Sequence, residues 1–93
     1  MDHFNYRNGQ LFCENVPVSR IAAEVGTPVY IYSKATFQGH YQRIAGAFSP
    51  LHPLICYSIK SCPNVHLLKL LVAEGSGMDV TSGGELYRAL AAG

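Results

Sequence analysis

The chain reads as an α/β protein, and three features of the sequence predict that class. The first is an apolar run, Leu54-Ile55-Cys56-Tyr57-Ser58-Ile59, which is bounded by Pro53 and Pro63 and delivers Lys60 at its end; such a run reads as a short strand buried on both faces. The second is the order that follows it: a helix opened by Asn64, a strand over Met78 to Thr81 and a helix opened by Ser82. Strand, helix, strand and helix in that order form a βαβα unit with a right-handed crossover. The third is composition, since 48% hydrophobic against 14% charged residues is apolar enough for a packed interior.

Ahead of that unit, Phe4-Asn5-Tyr6-Arg7 and Gln10-Leu11-Phe12-Cys13 are alternating runs joined by Asn8-Gly9. Both central residues of a type I′ turn need positive φ, which Asn and Gly tolerate, so a hairpin is predicted. An isolated hairpin is marginal in water and must lie on something else. Pro17 suits the first turn of a short helix with Val18, Ile21, Ala22 and Val25 on one face and Gly26 as its C-terminal cap. Thr27 to Tyr32 then alternates Val29 and Ile31 against Tyr30 and Tyr32, a strand with an aliphatic and an aromatic face, where Pro28 fits only at the start.

Ser33 is a predicted N-cap for a helix whose buried stripe is Phe37, Tyr41, Ile44, Ala45 and Phe48, with Gln38, Gln42 and Arg43 on the opposite face. Ser49-Pro50-Leu51-His52-Pro53 is a proline-punctuated loop that ends it. After the Lys60 strand, the Asn64 helix carries Val65, Leu68, Leu71 and Val72 as its apolar stripe and breaks at Gly75 and Gly77. Ser82-Gly83-Gly84-Glu85 spells a capping box, and Leu86, Leu90 and Tyr87 are expected to face inward from the last helix.

Charge excludes some function classes. A net charge of +1, with Arg7, Arg20, Lys34, Arg43, Lys60, Lys69 and Arg88 scattered, gives no basic stripe or patch for nucleic acid. No apolar run reaches the ~18 residues of a membrane span, and no charged start with an apolar core suggests a signal peptide. Cys13, Cys56 and Cys62 are an odd number without disulfide-framework spacing, which fits a reducing, cytoplasmic setting. Cys62 and His66 share a helical spacing, but no second close ligand pair accompanies them, so no metal site is expected.

Lys60 is the residue to explain, because a lysine is almost never buried without a partner and α/β folds bind ligands at the carboxyl ends of parallel strands. Desolvation there favours the neutral amine, the form that condenses with a carbonyl cofactor. The alternative is a lysine that snorkels past the strand end into water.

Three separated motifs shift the weight toward the imine reading. Gly26-Thr27-Pro28-Val29-Tyr30-Ile31-Tyr32-Ser33, Tyr57-Ser58-Ile59-Lys60 followed by the Asn64 helix, and Gly77-Met78-Asp79-Val80-Thr81-Ser82-Gly83-Gly84-Glu85-Leu86 occur in the order of the diaminopimelate decarboxylases, and the chain resembles the start of that family from about Phe4 to Gly93. The resemblance implies the alanine racemase-like fold of the pyridoxal-phosphate-dependent decarboxylases, a (β/α)8 TIM barrel with a β-rich second domain. A whole barrel takes about 250 residues, so only its first two βα units are expected here. Residues 1–33 would supply a hairpin, short helix and strand of the β-rich domain, and residues 34–93 the start of the barrel.

By the same resemblance, Lys60 is the catalytic residue that holds pyridoxal 5'-phosphate as an imine, with Asp79 beside the cofactor, where a carboxylate holds the lysine's charge. Ser82, Gly83, Gly84 and Glu85 would line the substrate side, although the capping box explains Ser82 and Glu85 without a ligand. The expected reaction converts meso-2,6-diaminopimelate to L-lysine and carbon dioxide. Its partner is a small-molecule amino-acid substrate, with neither nucleic acid nor membrane, and the full-length enzyme would be a homodimer. Related decarboxylases of arginine, ornithine or carboxynorspermidine, or a non-catalytic truncated interaction module, are the alternatives.

The sequence departs from the family where Ser61-Cys62-Pro63 follows the lysine in place of a small residue and Asn. The family's glycine-rich phosphate loop, the acidic partner of the pyridine nitrogen and the Cys and Tyr from near its C-terminal end would lie beyond Gly93. These 93 residues alone are therefore expected not to catalyse.

Overall fold

The computed structural model describes residues 2–93. They form two compact units, residues 2–36 and residues 37–93.

The first unit is a three-stranded antiparallel sheet with one short helix. Strands β1 (Phe4–Arg7) and β2 (Gln10–Cys13) pair with Phe4 opposite Cys13 and Arg7 opposite Gln10. Asn8 at φ 50 and Gly9 at φ 79 make the tight turn that the Asn-Gly pair predicts. The Arg7 guanidinium lies 4.7 Å from the centre of the Phe12 ring and donates to the Glu14 carbonyl. Glu14 and Asn15 turn the chain again into β3 (Val16–Pro17), a third strand absent from the sequence reading. Glu14 adopts a left-handed φ of 56, and its N–H donates to the His3 carbonyl at 2.7 Å.

Helix α1 (Val18–Val25) lies against β2 and β3. Pro17 precedes the helix rather than sitting in its first turn, because its extended ψ of 130 serves the pairing with Phe12. Ile21 and Ala22 are half-buried, whereas Val25 is exposed. The strand expected over Thr27 to Tyr32 is not formed: no neighbouring strand pairs with that segment among the described residues, and a strand requires one. Its alternation survives in part, with Val29 and Ile31 half-buried and Tyr30 88% exposed. The Thr27–Pro28 peptide bond is cis.

The second unit is an α/β layer. Helix α2 (Lys34–Ala47) leads into it and carries no fully buried residue, so its expected stripe is only partly inward: Phe37, Tyr41 and Ala45 are half-buried, while Ile44 is exposed and Phe48 lies beyond the helix. The glutamines on the other face are not merely solvated, since Gln38 and Gln42 both donate to the Glu74 carboxylate. A 3-10 turn (Ser49–Leu51) follows, ended by His52 in a left-handed conformation.

Strand β4 is shorter than expected, Cys56–Ser58, because the backbone tightens into a 3-10 turn at Ile59–Ser61. It is not buried on both faces: Tyr57 and Ser58 are half-buried, and Leu54 and Cys56 are exposed. Helix α3 (Val65–Ala73) starts where Asn64 caps the His66 amide at 2.9 Å. It ends in a Schellman arrangement, with Ser76 N–H on the Leu71 carbonyl and Gly75 N–H on the Val72 carbonyl, at the positive φ of 97 that glycine permits.

Strand β5 (Gly77–Asp79) pairs parallel to β4, with Cys56, Tyr57 and Ser58 opposite Gly77, Met78 and Asp79. Helix α4 (Gly83–Ala92) packs on α3. The core is Ile59, Leu68 and Ala92, ringed by Tyr57, Val65, Val72, Met78, Val80 and Ala89. The inward face of α4 is thus the one carrying Ala89 and Ala92, and Leu86, Tyr87 and Leu90 are exposed instead. Two apolar stripes at helical spacing compete on this helix, and the small one fits against α3.

Candidate functional site

The parallel register of β4 and β5 sets two side chains next to each other at the carboxyl ends of the strands. The Ser58 hydroxyl donates to Asp79 Oδ2 at 2.8 Å. No other hydrogen bond or ion pair reaches the Asp79 carboxylate among the described residues. Lys60 follows Ser58 by two positions in the 3-10 turn, exposed, with no hydrogen-bond or ion-pair partner among the described residues. The buried strand end expected around Lys60 is therefore absent within these residues, and no contact joins Lys60 to Asp79.

What surrounds the lysine is a fixed backbone. Ile59 on one side is fully buried, and Cys62 on the other is 6% exposed, with its N–H on the Ile59 carbonyl at 3.0 Å. The Tyr57 hydroxyl donates to the Cys62 carbonyl at 3.2 Å, and the Phe37 ring meets Tyr57 edge-on at 6.2 Å. Burial, with Cys62 nearby, pushes the Tyr57 phenol above its ordinary range. Tyr57 is a core residue that braces the turn, as its place in an apolar run suggests. The turn thus presents Lys60 outward from two buried neighbours.

Ser82 and Glu85 act on each other. Ser82 Oγ accepts the Glu85 N–H at 3.1 Å, the first half of a capping box. The second half is displaced by one residue, since Glu85 Oε1 accepts the Thr81 N–H at 3.1 Å and Oε2 accepts the Thr81 hydroxyl at 2.8 Å. The Glu85 carboxylate is thereby engaged in starting α4, while Gly83 and Gly84 are exposed. The structure brings Ser58 and Asp79 together and places Lys60 next along the same strand end; Ser82 to Glu85 form a separate cap three residues past β5. Among the described residues no His, Cys, Asp and Glu cluster is arranged for a metal ion, and Cys62 is buried while His66 is exposed. No helix is long and apolar enough to cross a membrane among those residues.

Sequence reasoning missed Ser58. Its only signal was a hydroxyl inside an otherwise apolar run, directly ahead of Ile59-Lys60.

Residues 34–93 match the family described as pyridoxal-dependent decarboxylase, pyridoxal binding domain. The chain belongs to this family. Over all 93 residues it is 43% identical to a diaminopimelate decarboxylase of Haemophilus influenzae and 46% identical to one of Pseudomonas fluorescens, and it spans 22% of the length of each. Among solved structures it is similar to AQ1208 from Aquifex aeolicus, at 42% identity and a TM-score of 0.90, with 97% of this chain and 22% of that one covered. It is also similar to the diaminopimelate decarboxylase of M. jannaschii in co-complex with L-lysine, at 30% identity and a TM-score of 0.90 over 98% of this chain and 22% of that one.

Proposed function

We propose that these residues are the N-terminal part of a pyridoxal 5'-phosphate-dependent diaminopimelate decarboxylase, which converts meso-2,6-diaminopimelate to L-lysine and carbon dioxide. The observation that carries this reading is similarity along the whole chain to enzymes of that name, with Lys60 standing unpaired at a parallel strand end. Residues 34–93 would begin the barrel, with β4-α3 and β5-α4 as its first two βα units, and residues 1–33 would belong to the β-rich domain. The full-length enzyme would be a cytoplasmic homodimer.

The donor set fits the cofactor. A primary amine with no partner among the described residues suits an aldehyde, and a carboxylate with capacity to spare on the adjacent strand suits a cationic nitrogen. Lys60 would hold the cofactor covalently, Asp79 would stabilise positive charge on the nitrogen that Lys60 presents, and Ser82, Gly83, Gly84 and Glu85 would flank the substrate. When bound, pyridoxal phosphate supplies the electron sink for loss of carbon dioxide.

Reductive labelling tests the assignment. Condensation of a lysine amine with the cofactor's aldehyde expels water, and hydride from borohydride fixes the link as a secondary amine that peptide mass mapping locates. Label concentrated at Lys60 and lost in Lys60→Arg is the expected result. Label spread evenly over Lys34, Lys60 and Lys69 would refute selective attachment by this strand end. For the substrate, release of carbon dioxide from ornithine but not from diaminopimelate by the full-length protein would overturn the choice.

A further inference from the structure

We propose that Ser58 is a positioning residue for Asp79, fixing the carboxylate so that Oδ1 is presented to a cationic nitrogen at the end of β4 and β5. The inference rests on the reading of Lys60 and Asp79 as cofactor-binding residues. Aspartate is disfavoured in strands, and an exposed carboxylate can be satisfied by water without any protein donor. The single donor that Asp79 does receive is therefore not needed to avoid a buried charge. What it does instead is choose an orientation.

The geometry for that choice is built into the sheet. Ser58 and Asp79 are directly paired in the parallel register, so their Cα positions are set by the backbone and only short side-chain torsions remain. The 2.8 Å bond from Ser58 Oγ to Oδ2 is a charge-assisted contact and removes most of the freedom of the carboxylate. Oδ1 is left without a partner among the described residues, and it is the atom free to accept from a protonated nitrogen. Ser58 itself is held by β4 and by Ile59, which follows it and is completely buried. A carboxylate turning freely in solvent would spend part of its time facing away, and preorganisation of this kind is how a polar contact remote from the reacting atoms affects a site.

The test compares the chain with Ser58→Ala and Ser58→Thr by two measurements. Three-bond NMR couplings to Asp79 Cγ report its side-chain rotamer without any cofactor, and borohydride labelling with pyridoxal phosphate reports attachment at Lys60. The expected result is one dominant Asp79 rotamer in the wild type, averaged couplings in Ser58→Ala, and recovery in Ser58→Thr, which keeps the hydroxyl. Labelling of Lys60 should fall about fivefold in Ser58→Ala, the effect of losing one partly screened hydrogen bond to a charged group, and return in Ser58→Thr. Couplings that do not change in Ser58→Ala would overturn the proposal. So would changed couplings with unchanged labelling, since the fixed orientation would then serve nothing at Lys60. A wild type that shows no preference for Lys60 would bring down the cofactor reading and this proposal with it, and the couplings would still separate that failure from an Asp79 that Ser58 never held.

Discussion

Two carboxylates in this chain receive a serine hydroxyl at nearly the same distance, Glu14 from Ser33 at 2.7 Å and Asp79 from Ser58 at 2.8 Å. Their surroundings differ in every other respect. Glu14 also accepts the Ala35 N–H at 3.0 Å, Ser33 is 2% exposed, and Ser33 Oγ in turn accepts the Thr36 N–H at 3.1 Å. Glu14 and Ser33 together thus satisfy amides that the first turn of α2 leaves open, and the hydrogen bonds from Ser33 and Ala35 hold the Glu14 carboxyl below its ordinary range. Asp79 takes one donor and remains exposed, and Lys60, two residues past its strand partner Ser58, has no hydrogen-bond or ion-pair partner among the described residues. The same contact is structure where the carboxylate also takes a backbone amide of a helix start, and a candidate for chemistry where the serine hydroxyl is the one donor it receives among the described residues.

The largest expected effect tests the floor beneath the open site. Ile59 is fully buried beside Lys60, and Ile59→Ala should destabilise the fold by about 2–5 kcal/mol, the cost of a cavity in a packed core. Urea unfolding followed by circular dichroism measures it. A loss within ~0.5 kcal/mol, the range of an ordinary surface substitution, would mean that Ile59 does not anchor the turn that presents Lys60.

An intermediate effect belongs to the closed carboxylate. Glu14→Gln should cost about 1 kcal/mol, as the loss of a helix cap does, and the loss should depend on pH. The folded state holds Glu14 more acidic than the unfolded chain does, so its stabilisation is complete above the ordinary glutamate range. It disappears as pH falls through that range toward the lower folded value. Wild type and Glu14→Gln should therefore differ at neutral pH and converge in acid; a constant difference across the titration would show that the charge is not what caps α2.

Local chemistry made the covalently near features legible and left the distant ones hidden. The Asn8-Gly9 hairpin has the strand bounds that the turn residues dictate, and Asn64 and Ser82 cap the helices that they precede. The second turn, at Glu14 and Asn15, was missed because it lacks the glycine that marks such turns. The Glu14–Ser33 contact spans 19 residues and has no period to reveal it. On α4, Leu86 and Leu90 offered more apolar area than Ala89 and Ala92, and only the packing against α3 decides between them. At the candidate site, Lys60 stood out as a lysine ending an apolar run, its cofactor role and that of Asp79 came from a family resemblance, and Ser58 needed the parallel register, which sequence alone does not fix.

The smallest effect on stability, and the one that divides the two carboxylates most cleanly, is expected for Asp79→Asn. Asp79 is exposed and its one hydrogen bond among the described residues is open to solvent, so the substitution should change unfolding free energy by no more than ~0.5 kcal/mol. The amide keeps an oxygen that the Ser58 hydroxyl can reach, which leaves the shape of the strand end intact while removing its negative charge. If Asp79 serves charge at Lys60, reductive labelling of Lys60 by pyridoxal phosphate should fall although stability does not. The opposite pattern, a stability loss near that of Glu14→Gln with labelling untouched, would make Asp79 a second structural carboxylate and erase the difference between the two.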